Sequence, residues 1–116
     1  MSGEPHVVTL GARALDGLSM RMAALAHNMA NVSTPRFRPL EVRFEERLRA
    51  AEARGGDALD RLRFDATAGA ALRPNDDRRV DLLIADASQT AMRYSALVDM
   101  LGRRLALRSA ILGGGR

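Results

Sequence analysis

Two apolar stripes, one toward each end of the chain, constrain this sequence more than any other feature. In the first, Leu15, Leu18, Met22, Leu25, Met29 and Val32 alternate three and four residues apart. In the second, Ile84, Ala87, Ala91, Tyr94, Val98, Leu101 and Leu105 do the same, and Val80, Leu83 and Leu97 widen the stripe. A 3.5-residue period lays one face of a helix against another helix. At 116 residues the chain is one domain at most. Two long helices cannot enclose a core as a globule does, so part of each stripe is expected to await cover from other chains. Such a chain is suited to assembly rather than to catalysis.

Local signals set the boundaries. The first helix is expected to start near Thr9, a good N-cap, or just after Pro5. It should end near 31–33, because Pro35 pushes Thr34 out of the helical region. Gly11 and Gly17 weaken its first half and mark either fraying or the close approach of another backbone. The last helix should run from Asp81, as N-cap, to about Leu112, where three glycines stop it. Between them, 36–39 reads as extended and 41–54 as a short helix broken by Gly55-Gly56. Residues 57–79 have no sustained period and hold at most a short strand near 62–66. The expected fold is mainly α: an N-terminal axial helix in 1–35, an irregular or partly disordered connecting segment in 36–79, and a C-terminal axial helix in 80–116.

Composition removes most chemistry. All 18 basic residues are Arg, giving a net charge of +4. That charge is spread as +2 over 1–44, zero over 45–80 and +2 over 81–116. A nucleic-acid footprint normally shows as local clustering, so a basic module binding nucleic acid or an anionic surface is the weaker alternative. There is no Cys, which excludes disulfides and thiolate metal sites. His6 and His27 are the only histidines and cannot complete a metal site together. The Asp residues are interleaved with Arg and lack calcium-loop spacing. No Ser sits in a nucleophile elbow. We therefore expect no enzyme, no catalytic residue, no cofactor, no metal and no small-molecule substrate. Arg13 and Asp16 interrupt any apolar leader, and no apolar run is long enough to cross a bilayer.

The run Ala26-His27-Asn28-Met29-Ala30-Asn31-Val32-Ser33-Thr34-Pro35-Arg36-Phe37-Arg38 resembles the signature A-N-N-I-A-N-x-x-T-P-G-Y-K of bacterial flagellar rod and hook proteins. The stretch Val42-Arg43-Phe44-Glu45-Glu46-Arg47-Leu48 looks like the D-F-E-x-x-L of short proximal-rod members. Val80-Asp81-Leu82, then Met92 to Leu97, then Leu107 to Ile111 is similar to their closing V-D-L, R-Y-x-A-L and L-R-x-A-I. Together these cover both ends of the chain.

The resemblance implies an axial structural protein of the basal body. Its terminal helices would pair as an antiparallel coiled coil, with both stripes as the assembly seam. Asn28, Asn31, Thr34, Pro35 and Phe37 would carry the family motif. The implied partners are copies of itself, other rod proteins, the membrane-ring and rod-junction proteins (FliE and FliF type) and the flagellar type III export apparatus, without nucleic acid. The implied location is the rod in the periplasm, reached after cytoplasmic synthesis without a cleaved signal. Phe44 with Leu48 fits the Phe-x-x-x-apolar element thought to engage the export gate; the same pair suits ordinary helix docking. Departures are His27 for Asn, Phe37 for Tyr, Leu83 for Glu, and Arg36 for Gly. The last disfavours a type II turn, which needs positive φ there, whereas a type I turn accepts Arg.

Overall fold

The computed structural model describes residues 3–69 and 78–113. In chain order it contains α1 (Gly3–Ala30), β1 (Leu40–Glu41), α2 (Phe44–Arg54), α3 (Ala58–Arg61), β2 (Thr67–Ala68) and α4 (Arg78–Gly113). The chain is mainly helical, and the two longest helices lie toward its ends. The molecule measures 63 × 27 × 15 Å with a radius of gyration of 17.9 Å, against about 13 Å for a compact chain of this length. It is a flattened rod. Among the described residues no helix is long and apolar enough to cross a membrane.

α1 begins at Gly3, earlier than Thr9, which lies inside the helix. Pro5 sits in the first turn, where its missing N–H has no intrahelical partner to lose. The helix ends at Ala30, and the chain leaves through shortening turns. The Asn31 N–H is shared between the carbonyls of His27 and Asn28 at 3.1 and 3.2 Å, and the Val32 N–H reaches Met29 at 3.5 Å.

α4 packs on α1 over most of its length. Gly11 meets the Leu101 side chain, and Val7, Leu10 and Ala14 share a cleft with Leu97 and Leu101. Further along, Ala24, Leu25 and Asn28 share another with Leu83 and Thr90.

The core is not built by these two helices alone. Of nine buried apolar residues, six lie between Val42 and Phe64, so the connecting segment supplies most of it by folding onto α1. This corrects the expectation of an irregular stretch over 57–69. α3 and β2 form there, with Leu59, Leu62 and Phe64 buried. The remainder of that loose segment, 70–77, lies outside the described residues. The strand sits at Thr67–Ala68, beyond 62–66, and pairs antiparallel with β1, Leu40 opposite Ala68 and Glu41 opposite Thr67. Leu62 and Phe64 do point inward with Arg63 and Asp65 outward, the period-two pattern of extended chain, but side chains rather than a ladder hold that stretch.

α2 starts at Phe44 instead of Glu41, because Leu40–Glu41 is taken by β1. Arg43 supplies no side-chain cap, while Glu45 and Glu46 in the first turn complement the helix dipole. Gly55, at φ +70°, ends the helix with its N–H on the carbonyls of Ala51 and Glu52, a left-handed stop that favours glycine.

Candidate functional site

The most constructed feature of the molecule is the exit from α1. Asn28 is 2% exposed. Its Nδ2 donates to the Leu40 carbonyl at 2.9 Å, and its Oδ1 accepts from the Leu40 N–H at 2.8 Å. One amide side chain thus copies the two backbone bonds of a strand partner and fastens β1 to the helix twelve residues earlier.

Around it, Asn31 Nδ2 donates to the His27 carbonyl at 2.9 Å, adding a second donor to an acceptor that already takes the Asn31 N–H. The Thr34 N–H donates to the Asn31 carbonyl at 2.9 Å, and its hydroxyl lies 3.3 Å from Asn31 Oδ1. His27 packs its ring on Phe37 at 5.5 Å between centroids.

The turn Thr34-Pro35-Arg36-Phe37 closes with the Phe37 N–H on the Thr34 carbonyl at 3.2 Å. Arg36 holds φ +60°, the only non-glycine among the described residues with positive φ. Pro at the second position and positive φ at the third mark a type II turn, so the type I expectation is corrected. The hydrogen bonds on either side fix the turn, and Arg36 accepts a conformation that costs an L-residue about 1–2 kcal/mol. Arg36→Gly is therefore expected to stabilise the chain. Glycine's own unfolded-state entropy offsets part of the gain, leaving up to about 1 kcal/mol. A urea melt should move to higher midpoint with unchanged slope; a lower midpoint would mean that the arginine side chain contributes something the turn geometry does not.

A second anchor seats α2 on α1. Arg21 forks onto Glu45, Nη1 and Nη2 each 2.7 Å from a carboxylate oxygen, and Nη2 also reaches the Val42 carbonyl. Its guanidinium lies 4.5 Å above the Phe44 ring centroid. These hydrogen bonds hold the Glu45 carboxyl below its ordinary range, with partial burial opposing. Phe44 itself is buried, meets Phe64 edge-on at 5.7 Å, and lies directly against the backbone of Gly17. The close approaches at Gly11 and Gly17 are thus made by side chains, not by another backbone. Leu48 packs half-buried against the same core. In the folded chain both members of the Phe44–Leu48 pair belong to the helix contact.

The stripe residues are divided by the structure. Leu18 and Leu25 are buried, Leu15 and Met29 half-buried, and Met22 exposed. On α4 the less exposed positions are Leu83, Ala87, Thr90, Tyr94, Leu97 and Leu101, again at alternating spacings of three and four. They keep Ala87, Tyr94 and Leu101 of the expected stripe, and Leu83, Thr90 and Leu97 stand in for Ile84, Ala91 and Val98. Ile84, Ala91, Val98 and Leu105 are left exposed. Thr90 masked this register: it looks polar, yet it is 4% exposed with its hydroxyl bonded to the Asp86 carbonyl at 2.7 Å. Arg21, Gly17 and Leu40 were not singled out for these roles. Only Gly17, a costly residue inside a helix, left a signal.

What the site does is mechanical: it sets the direction in which the chain leaves α1 and locks the connecting segment to the rod. Compared with protein-family models, curated proteins and solved structures, the chain matches none.

Proposed function

We propose that this chain is a structural subunit of the bacterial flagellar proximal rod, of the FlgB type. Its terminal helices would form an antiparallel coiled coil that assembles with copies of itself and with neighbouring rod proteins. The observation that carries the reading is the fate of the motif Asn28, Asn31, Thr34, Pro35 and Phe37. Every one of these residues takes part in the helix-end clamp and its type II turn, so the resemblance falls on residues that work as one device. The turn keeps positive φ even though Arg36 stands in the place of glycine, as a backbone shared with that family would require.

The two helices meet in opposite order along the chain: Gly11 lies against Leu101, while Ala24, Leu25 and Asn28 share a cleft with the earlier α4 residues Leu83 and Thr90, which supports antiparallel pairing. The absence of Cys suits threading through a type III export channel, since no disulfide has to be opened. From there the subunit would enter the rod beside the membrane ring.

The test is genetic. Deleting the gene in its bacterium should abolish filaments while the membrane ring is kept. Leu18→Asp or Leu101→Asp should give the same loss, since a charge driven into the helix contact is left unpaired. Normal motility in these strains would contradict the reading.

A further inference from the structure

Both terminal helices carry an uncharged ribbon along one flank of their contact, exposed along α4 and, apart from Met22, half-buried along α1, and both ribbons lie on the same side of the rod. α2 and β1 occupy the other side, and Leu62, Arg63 and Phe64 border the outer edge of the α1 ribbon at Ser19. On that other side Gly17, Arg21, Ala24 and Asn28 of α1 meet α2 and β1, and on α4 Arg93 and Met100 border clefts with the same segment. At 100° per residue, Val8, Leu15, Met22 and Met29 fall on the opposite flank of α1. Ile84, Ala91, Val98 and Leu105 fall on the opposite flank of α4.

With Gly11 set against Leu101, these positions line up as four rungs: Val8 by Leu105, Leu15 by Val98, Met22 by Ala91, Met29 by Ile84. The outer edges of the ribbons are small. Ala12, Ser19 and Ala26 repeat every seven residues on α1, and Ser88, Ser95 and Gly102 do so on α4. No Arg, Asp or Glu interrupts either row, although charged residues make up 28% of the chain. Ile84, Val98 and Leu105 are 51%, 42% and 44% exposed.

We infer that this face is covered by a second copy of the same chain, giving a four-helix dimer in solution. Two observations favour a copy over another occupant. The chain carries +4 overall, so two copies repel least where a surface lacks charge, as along this ribbon. The size also fits. Four rungs span about 32 Å along helices about 10 Å apart. That is roughly 600 Å² per copy, or about 1,200 Å² in total, the lower bound for a stable specific interface. Small residues along the edges let helices approach closely, and a two-fold axis would place each row of rungs on its own counterpart. The inference rests on the helix pairing and assembly reading above, but it fails separately from them.

The experiment is sedimentation velocity of the purified full-length chain from 1 to 200 µM, beside two variants. The wild type should shift from monomer to dimer across this range. Val98→Arg, at an exposed position, should weaken dimerisation at least tenfold with its circular dichroism melt unchanged. Met92→Arg, at a more exposed position on the far side of α4, should leave it intact. A wild type that stays monomeric at 200 µM overturns the inference, as does a dimer that Val98→Arg does not weaken. Flotation with vesicles of anionic phospholipid, lost in Val98→Arg while the wild type stays monomeric, would overturn it in favour of a membrane surface. A dimer in a chain whose deletion leaves motility intact would support this inference and remove the rod reading. A monomer in a chain whose deletion removes filaments would do the reverse.

Discussion

Replacing Asn28 by Ala is expected to lower stability by about 2–3 kcal/mol, because it leaves two partly buried backbone groups of Leu40 without partners. In a chain of this size that corresponds to a fall in melting temperature on the order of 10 °C or more. Asn28→Asp should be at least as harmful. It keeps the acceptor for the Leu40 N–H but faces the Leu40 carbonyl with a carboxylate oxygen, in a site that is almost fully shielded from water. The comparison that isolates the mechanism is Asn31→Ala. Asn31 also bonds backbone, but at an exposed position, where water replaces the lost amide, so its cost should stay under about 1 kcal/mol. Thermal melts followed by circular dichroism would separate the two. Equal effects at Asn28 and Asn31 would mean that the clamp contributes no more than an ordinary helix cap.

Gly17→Ala is expected to be the most damaging single-atom addition in α1. An added Cβ would lie 2.3 to 2.7 Å from atoms of the Phe44 ring. That ring cannot swing away, because Phe64 abuts it and the Arg21 guanidinium covers its face. Overpacking of this kind costs about 1–3 kcal/mol even after relaxation, more than the roughly 1 kcal/mol that Ala gains over Gly inside a helix. Gly11→Ala provides the contrast. Its Cβ would meet the terminal methyls of Leu101 at 2.6 and 3.3 Å, and a half-buried leucine can turn to another rotamer. The net effect at Gly11 should therefore be near zero. If Gly17→Ala melted no lower than the wild type, Phe44 would not be seated on the α1 backbone as described.

These two sites also explain how far the sequence could be read. The terminal helices were legible because each runs for many turns with a repeating apolar pattern, and periodicity grows more informative with length. The connecting segment was not. α3 has four residues and each strand two, too few for any period to show, although Leu59, Leu62 and Phe64 lie at core spacing for a turn that leads into extended chain. The α4 register was obscured because Ile84, Ala91, Val98 and Leu105 are apolar at perfect sevenfold spacing, whereas the contact with α1 includes a threonine. Hydrophobicity alone does not separate the flank that meets α1 from the one left exposed; the buried Thr90 hydroxyl, bonded within its own helix, is silent in sequence. The motif residues could be picked out by resemblance, but not what they grasp: nothing local to Asn28 points to Leu40, twelve residues on. Arg36 was misread for a related reason. A residue's own preference argued against positive φ, and the closed turn between Thr34 and Phe37 overrode it.

A rod built from such subunits would draw its strength from helix contacts between chains, with the connecting segment fixing each helix pair rather than forming an independent domain. Electron cryomicroscopy of basal bodies purified from a strain lacking this gene puts that account to its hardest trial. Rings that persist with no rod rising from them, restored by the wild-type gene but not by Leu101→Asp, are the expected result. Basal bodies carrying a complete rod in the absence of this chain would contradict it.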